Sequence, residues 1–340
     1  MKRLALATDA WHPQVNGVVR VLDRLRRETP AFGLEIEVVS PEGFPTVPLP
    51  TYSEIKLALC SPSEVGRRIM AAGADYVHIP TEGPIGMAAR RWCRREGMPF
   101  TTSFHTRFPE YLARRLPVPP DLAYAWLRRF HNAGRATLVS TPRLSDELRS
   151  RGFAKTAIWP RAVDTGVFCP GEAARLDFPG PIFMYVGRVA VEKNIEAFLK
   201  LDLPGTKVIV GDGPQRAELA RRYRQAKFLG VHVGEDLVRL YRAADVFVFP
   251  SRTDTLGLVS IEAMGCGVPV AAYPVLGPAD VIGDSGAGVL SEDLGAAALA
   301  ALDIPGDVCR ARALEFNWEK SASTFVSLIE NANRPLAAAC

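Results

Sequence analysis

Residues 244–265 constrain the fold of this chain more than any other part of its sequence. The first six, ADVFVF, are mostly apolar and β-branched or aromatic, which predicts a buried β-strand. The polar stretch PSRTDT predicts a short loop, and the residues LGLVSIEAMG that follow predict a helix. A strand, a loop and a helix in this order form the unit from which parallel sheets are built.

The same alternation recurs along most of the chain. It predicts an α/β fold in which parallel sheets carry helices on both faces. Predicted helices include residues 18–28, 63–72, 85–96, 144–151 and 317–331. The predicted strands are residues 3–8, 33–39, 74–79, 100–103, 136–140, 182–186, 206–210, 227–229, 246–249 and 268–273.

A stretch rich in proline and glycine, residues 159–181, separates two series of strands and predicts an interdomain linker. The length of 340 residues is enough for two domains of ordinary size. We therefore predict one domain over residues 1–165, a second over 166–316, and a last segment with a helix over 317–340.

Composition predicts an ordinary cytoplasmic protein. The six cysteines are scattered without a C-x-x-C pair, as expected of free thiols in a reducing compartment, and they predict no zinc site. No apolar run is long enough to span a bilayer. The apolar stretch at the start of the chain ends at Asp9, too early for a signal peptide, and predicts the first strand instead.

Two carboxylates, Asp254 and Glu262, lie eight residues apart in the loop and helix of the opening segment. Ligands of open α/β sheets bind at the carboxyl ends of the strands, so both residues are placed to accept hydrogen bonds from hydroxyl groups. The start of the helix also offers backbone N–H groups to an anion. Such a site suits a sugar nucleotide, which has hydroxyls at both ends and a diphosphate between them.

Two cations follow an earlier strand, in the segment GRVAVEKN. Arg188 and Lys193 are suited to a diphosphate, because arginine offers a bidentate fork and lysine a point charge. The sequence has no Asp-x-Asp, which a metal-dependent transferase of nucleotide sugars would need. An enzyme without a metal must stabilise a departing nucleoside diphosphate with fixed cations of this kind. We expect no cofactor and no metal.

Together these segments resemble retaining glycosyltransferases of family 4, in the branch of mannosyltransferases and glycolipid glycosyltransferases. The resemblance runs from Thr8 to about Phe325 and implies the GT-B fold, two Rossmann-like domains facing across a cleft. It implies an acceptor-side first domain, a second domain that binds the nucleotide sugar, and a last helix that crosses back to the first domain.

The resemblance also implies roles for single residues. Arg188 and Lys193 would bind the diphosphate, Asp254 the donor sugar and Glu262 the ribose. His105, in the segment SFHTRF, would contact the donor sugar near the reacting carbon. The remaining residues implied at the donor are Gly17, Gly211, Gly213, Leu256, Gly257 and Leu258.

Three positions depart from the family pattern, and two of them, Ala162 and Leu276, leave the identity of the donor sugar open. Asp254 stands where glutamate is usual, Ala162 replaces a glycine after Arg161, and Leu276 replaces a glycine before Gly277.

Charge is divided unevenly along the chain. Residues 1–165 hold 24 Lys and Arg against 16 Asp and Glu, whereas residues 166–340 hold 17 against 21. Arginine and tryptophan interleave in the first half, which suits an anionic membrane surface but is equally typical of solvated helix faces. No nucleic-acid recognition module appears. The basic clusters are Arg90–Arg95, Arg114 with Arg115, and Trp126–Phe130.

The sequence thus predicts retaining transfer of a hexosyl unit to a membrane lipid hydroxyl, such as that of diacylglycerol, at the inner membrane face. GDP-mannose, UDP-glucose and UDP-glucuronate all fit as donors. Two alternatives stay open: transfer to a soluble or lipid-linked glycan, and a non-catalytic protein that binds nucleotide sugars. A nicotinamide dehydrogenase is disfavoured, because no Gly-x-Gly-x-x-Gly follows a strand.

Overall fold

The computed structural model describes residues 1–14, 16–49, 52–113 and 119–334. Among these residues the chain forms two compact units. The first consists of residues 1–113, 119–161 and 318–334, and the second of residues 162–317.

The first unit is built on a six-stranded parallel sheet with the strand order β2-β1-β5-β6-β7-β8, beside an antiparallel hairpin of β3 and β4. Its strands are β1 (Lys2–Ala7), β2 (Leu34–Val39), β3 (Thr46–Leu49), β4 (Tyr52–Ala58), β5 (Tyr76–Ile79), β6 (Phe100–Ser103), β7 (Thr137–Val139) and β8 (Thr156–Ile158). Its helices are α1 (Gly17–Glu28), α2 (Pro62–Ala71), α3 (Pro84–Arg95), α4 (Phe108–Ala113), α5 (Pro120–His131) and α6 (Pro142–Ser150), with a 3-10 turn at Thr29–Phe32.

The second unit is built on a six-stranded parallel sheet with the order β11-β10-β9-β12-β13-β14. The strands are β9 (Ile182–Val186), β10 (Thr206–Val210), β11 (Lys227–Gly230), β12 (Val246–Phe249), β13 (Val270–Ala272) and β14 (Gly288–Leu290). The helices are α7 (Ile195–Leu199), α8 (Arg216–Arg222), α9 (Gly234–Arg242), α10 (Leu258–Gly265), α11 (Leu276–Ile282), α12 (Leu294–Ala301) and α13 (Gly306–Leu314), with a 3-10 turn at Val191–Lys193.

The last helix, α14 (Trp318–Asn333), belongs to the first unit. Its Phe325 is fully buried and lies 4.8 Å from the ring of Trp159 and 5.3 Å from that of His78, measured between ring centroids. Ser321 on the same helix accepts a hydrogen bond from the indole N–H of Trp159 at 3.1 Å. The helix α14 therefore contributes to the core of the first unit.

Both faces of the second sheet are buried, which explains the unbroken apolar runs in its strands. Along β9 the side chains alternate between two clusters: Phe183 and Tyr185 pack into one, and Met184 and Val186 into the other. Phe247 and Val248 on β12 divide in the same way. Because both faces of this parallel sheet are covered by apolar side chains, polar groups of a binding site can lie only at the ends of its strands.

Each sheet has one point at which the strand order reverses, and ligands of doubly wound folds bind at the carboxyl end of the strands beside it. In the first unit this switch point lies between β1 and β5, and in the second between β9 and β12. The loops after β9 and β12 hold Arg188, Lys193 and Asp254.

The sequence prediction located the sheet strands well. Predicted strands 182–186, 206–210 and 246–249 have the bounds seen in β9, β10 and β12. It missed the hairpin of β3 and β4, the helices α4 and α5, and the edge strands β8 and β14. The predicted linker, residues 159–181, contains turns but neither helix nor strand.

Two glycines after β10 let that loop approach the loop that carries Arg188. Gly211 and Gly213 have φ angles of +132° and +156°. An added Cβ would lie 2.0 Å from the carbonyl oxygen of Gly187 at the first position and 2.4 Å from that of Val189 at the second. The amides of Gly187 and Val189 also donate to the carbonyls of Val210 and Asp212, at 2.9 and 2.8 Å. The two loops are thus joined through their backbones.

We predict that Gly211→Ala lowers the free energy of unfolding by about 3 kcal/mol or more, because backbone strain adds to the clash with Gly187. The matched control is Gly234→Ala, where φ is +59° and no atom lies within 4 Å of the added Cβ. The control pays only the left-handed strain of about 1–2 kcal/mol. Urea denaturation followed by circular dichroism measures both. Equal losses would show that the close approach has no energetic role.

Candidate functional site

The loops after β9 and β12 meet through an ion pair at the switch point of the second unit. The ammonium group of Lys193 donates to Oδ1 of Asp254, and both side chains are mostly buried, at 19% and 15% exposure. Partial burial reduces the dielectric screening between the charges. Sequence reasoning assigned these residues to two different parts of the donor and missed that they bind each other.

Two further hydrogen bonds tie the same loops together. The side-chain amide of Asn194 donates to the carbonyl oxygen of Pro250 at 3.0 Å, and the hydroxyl of Thr253 donates to the carbonyl oxygen of Glu192 at 3.3 Å. Asn194 has a φ of +54°, and it is the one residue other than glycine with a positive φ among the residues the structure describes. Asparagine tolerates this conformation better than most residues. The position of Lys193 is therefore set by the backbone on either side of it.

The second carboxylate oxygen of Asp254 is left without a hydrogen-bond donor by the described residues. Oδ2 is buried and accepts no hydrogen bond from the described part of the chain. A buried carboxylate oxygen without a donor is costly, and in a site it is usually satisfied by a ligand or by water. A sugar hydroxyl would supply the missing donor. The loop is closed on its other side by Gly277, whose added Cβ would lie 2.9 Å from the carbonyl oxygen of Asp254.

Glu262 lies deeper than the sequence suggests. It sits in the middle of α10 with no exposed surface, and its Oε2 accepts a hydrogen bond from the hydroxyl of Tyr241 at 2.9 Å. Tyr241, near the end of α9, is also fully buried. Its ring packs against Phe247 and Phe168, with centroids 5.9 and 5.8 Å away. Tyr241 is a residue of this region that sequence reasoning missed, because a tyrosine in a helical apolar pattern is typical of a core residue.

The other residues predicted in the second unit lie on the same loops. Arg188 is half-buried directly after β9, and its carbonyl oxygen accepts the hydroxyl of Tyr185 at 3.0 Å. Leu256 is buried, whereas Gly257 and Leu258 are half-buried at the start of α10. Gly211 and Gly213 adjoin the Arg188 loop. Contact of these residues with a nucleotide stays a prediction.

In the first unit, His105 follows β6 and is paired with the linker residue Arg161. Nη2 of Arg161 lies 3.3 Å from Nδ1 of His105, and the guanidinium carbon lies 3.8 Å from the ring centroid of Trp159. Burial and the positive charge of Arg161, followed by His78 and His131, hold the pKa of His105 well below its ordinary value. His105 is therefore a neutral group near pH 7.

Gly17 opens α1 and is exposed. The amides of Val18 and Val19, which follow it, already donate to Oδ1 of Asn16 at 3.0 Å each. Asn16 thus caps the helix, as asparagine commonly does. A diphosphate bound at Gly17 would have to displace or share this cap, so that role stays a prediction.

A second buried polar group lies beside the switch point of the first unit. The carboxylate of Asp9, after β1, accepts the amides of Ile85 and Gly86 at the start of α3, at 2.8 and 3.2 Å, and the hydroxyl of Thr81 at 2.9 Å. Burial raises the pKa of Asp9, and these hydrogen bonds oppose that rise. Asp9 fixes α3 against β1 and needs no ligand to be satisfied.

Comparison of the chain with known proteins identifies its family. The family model described as Glycosyltransferase Family 4 matches residues 15–167, and that described as Glycosyl transferases group 1 matches residues 180–304. A GDP-mannose-dependent alpha-mannosyltransferase of Mycobacterium tuberculosis is 30% identical over 318 residues, covering 85% of this chain and 83% of the relative. An alpha-monoglucosyldiacylglycerol synthase of Streptococcus pneumoniae is 23% identical, covering 95% and 83%.

The fold agrees with this result. Sucrose-phosphate synthase from Thermosynechococcus elongatus superimposes with a TM-score of 0.76 at 20% identity, covering 97% of this chain and 99% of that one. The two parallel-sheet units therefore form the GT-B fold, as the sequence predicted. The chain belongs to the family-4 glycosyltransferases, and it is a glycosyltransferase that uses a nucleotide sugar.

We predict that Tyr241→Phe lowers the free energy of unfolding by about 1.5–3 kcal/mol, because it removes a hydrogen bond from a buried carboxylate. The matched control is Tyr223→Phe. Tyr223 makes the same kind of bond, to Glu196 at 2.9 Å, but at the partly exposed surface where water can replace it. We expect a loss below about 1 kcal/mol there. Urea denaturation compares the two, and a loss as small as the control's would show that Glu262 does not depend on Tyr241.

Proposed function

We propose that the protein is a retaining mannosyltransferase that moves mannose from GDP-mannose to the hydroxyl of a membrane lipid, such as diacylglycerol, without a metal ion. The observation that carries the proposal is the Lys193–Asp254 pair at the β9–β12 switch point, with a carboxylate oxygen left for a sugar hydroxyl. The donor is supported by the GDP-mannose-dependent mannosyltransferase at 30% identity, and the lipid acceptor by the relative named alpha-monoglucosyldiacylglycerol synthase.

The proposed role of Arg188 and Lys193 is to stabilise the departing diphosphate. Negative charge develops on the phosphate oxygen as the glycosidic bond breaks, and fixed cations in a partly buried site stabilise it strongly. Asp254 would hold Lys193 in place through Oδ1 while Oδ2 binds the sugar. The pair thus gives one carboxylate two uses, to orient the cation and to orient the sugar.

Retention is proposed because the family resemblance implies it, and none of the site residues described above is assigned as a dedicated base. In the mechanism that the family resemblance implies, the departing phosphate oxygen takes the proton of the acceptor hydroxyl on the same face of the sugar. His105, neutral near pH 7, would contact the donor sugar as a hydrogen-bonding group. Glu262 would hold the ribose, which requires its buried carboxylate to become accessible to the nucleotide.

The test is transfer of radiolabelled mannose from GDP-mannose to diacylglycerol in mixed micelles without added metal. We predict that Arg188→Ala and Lys193→Ala each lower turnover by roughly 10² or more, because the leaving group loses a fixed cation. Lys200→Ala is the matched control: Lys200 is an exposed lysine of the same unit that pairs with Glu196 at 3.0 Å, and its removal should leave turnover unchanged.

Near-normal turnover of both the Arg188 and Lys193 variants would refute their assignment to the diphosphate. Transfer from UDP-glucose or UDP-glucuronate in place of GDP-mannose would leave the transferase chemistry standing and correct the donor. The configuration of the mannosyl product, read by NMR, separates retention from inversion.

Contact with an anionic membrane is the second part of the proposal, and the structure corrects the residues involved. Arg90 is buried and donates to the carbonyl oxygens of Phe130 and Arg129 at 3.1 and 2.8 Å, so it ties α3 to the end of α5. Trp92 is buried as well. Arg90 was predicted in a surface cluster and is a core residue instead, whereas the burial of Trp92 agrees with the alternative of a solvated helix face. Arg114 and Arg115 lie outside the described residues.

What α3 and α5 do expose still suits a membrane. Arg91, Arg94 and Arg95 are exposed at the end of α3. On α5, Leu122 and Trp126 are 65% and 40% exposed, four residues apart and therefore on one face of the helix. Cations beside exposed apolar side chains are typical of interfacial binding. No helix of the described residues is long and apolar enough to cross a membrane.

We predict that changing Arg91, Arg94 and Arg95 together to Gln weakens binding to vesicles of phosphatidylglycerol, by roughly 1 kcal/mol per arginine. The matched control changes Arg221, Arg222 and Arg224, which are exposed in the second unit, to Gln and alters net charge equally. Vesicle sedimentation at fixed salt measures both. If the two triple variants bind alike, the effect is one of net charge and not of this surface.

Transfer to a soluble glycan is the second candidate function. The burial of Arg90 and Trp92 favours it, since it removes two residues from the proposed membrane surface. Turnover with a soluble mannoside acceptor, and none with diacylglycerol, would establish it.

A further inference from the structure

The linker residue Arg161 carries its positive charge in the interior of the first unit. It is 6% exposed, and no carboxylate of the described residues forms an ion pair with it. Its Nη1 is buried without an acceptor in the described part of the chain. Burial lowers the pKa of Arg161 to about 9, which still leaves it charged near pH 7. An uncompensated buried charge is costly and calls for a function.

The geometry around Arg161 shows what it is aimed at. Its guanidinium lies over the ring of Trp159, and its Nη2 points to Nδ1 of His105 at 3.3 Å. Trp159 is itself fixed: it has no exposed surface, and its indole N–H donates to Ser321 on α14. The hydroxyl of Ser321 donates in turn to the carbonyl oxygen of Pro160 at 2.7 Å. The guanidinium is therefore held by stacking on a rigid support.

We propose that Arg161 is a positioning residue that holds His105 in the neutral tautomer protonated on Nε2. A guanidinium has five N–H donors and no acceptor, so the nitrogen facing it must carry a lone pair. In a neutral imidazole one nitrogen is bare and the other protonated. Nδ1 is the bare nitrogen beside Arg161, and the proton is then on Nε2. The inference deepens the proposed function, because it rests on the role of His105 at the donor sugar.

The other charged and titratable groups near His105 are consistent with this state. They are Arg161 on the linker, His78 on β5 and His131 on α5. His78 lies between the hydroxyls of Thr101 and Ser103, at 2.8 and 2.9 Å, and burial lowers its pKa to about 3, so it is neutral. His131 faces Glu82, at 3.0 Å. None of these three groups favours a charged His105.

The tautomer determines how His105 can form hydrogen bonds. His105 becomes a hydrogen-bond donor of fixed orientation at Nε2, and it keeps that role over the pH range in which a free histidine would change charge. A donor suits a sugar hydroxyl oxygen or an oxygen of the leaving phosphate. A histidine in the opposite tautomer would offer a lone pair there instead. Arg161 thus decides which partner His105 can bind.

The first test reads the protonation state in the intact wild-type chain, and a variant is used only to assign the signal. Histidine nitrogens are labelled with ¹⁵N, and His105 is assigned by comparison with His105→Gln. We expect a bare Nδ1 and a protonated Nε2 near pH 7, because the pKa of His105 lies well below its ordinary value. A proton on Nδ1, or an imidazolium at neutral pH, would overturn the inference.

The second test measures kcat/KM against pH for Arg161→Met, which removes the charge and the donor but keeps an unbranched side chain. Removing a cation that lowers the pKa of His105 raises that pKa, so the acid limb of the profile should move to higher pH. Turnover should fall roughly tenfold or more, and Arg161→Lys should recover part of it. The matched control is Arg149→Met, an arginine of the same unit that binds Thr156 and not a histidine. It should change neither.

A double-mutant cycle separates positioning from direct contact with substrate. In the His105→Gln background, Arg161→Met should cost less than about twofold if Arg161 acts through His105. A full loss in that background would overturn the inference and make Arg161 a substrate-binding residue. Full turnover of His105→Gln alone would overturn the role of His105 and this inference together. If His105→Gln impairs turnover but the wild-type His105 carries its proton on Nδ1, the role of His105 stands and this inference alone is overturned.

Discussion

Parallel pairing of β9 with both β10 and β12 is the constraint on which the second unit depends. After β9 and β12 the chain leads to opposite sides of the sheet, so these neighbouring parallel strands end at one edge and the loops after them share it. Because both faces of the sheet are apolar and covered, that edge is where ionic groups can gather. The Lys193–Asp254 pair follows from this topology, and the glycines after β10 hold the Arg188 loop to it.

The pairing of Lys193 with Asp254 has a cost and a use. Two charges taken partly out of water lose hydration, and their mutual attraction returns that loss only with good geometry. Here the geometry is supplied by Asn194 and Thr253, which join the two loops through backbone carbonyls. Stability alone does not require such a pair, since apolar residues would pack as well. In the proposed function, its value lies in presenting a cation and a carboxylate oxygen at fixed positions to one ligand.

The positions of most strands could be predicted from the sequence, because apolar periodicity is a local signal, and the motifs at the strand ends give candidate site residues. Asp254, Lys193 and His105 are identified by their motifs in this way. The hairpin of β3 and β4 could not be predicted, since short strands beside proline lack a clear alternation of apolar and polar residues. The burial of Arg90 and Glu262 could not be predicted either, because charged residues are expected at the surface. Their partners explain it: Arg90 binds carbonyl oxygens of α5, and Glu262 binds the hydroxyl of Tyr241.

Arg161 illustrates the same limit more sharply. In the sequence it is one arginine among many, before an alanine in a linker, and its motif gives it no task. Its role emerges from residues far apart in the chain: His105 from β6, Trp159 after β8 and Ser321 on the last helix. The last helix holds the tryptophan, the tryptophan holds the guanidinium, and the guanidinium sets the histidine's tautomer. A substitution in α14 that loosens Trp159 would therefore alter the hydrogen bonding of His105 without touching it.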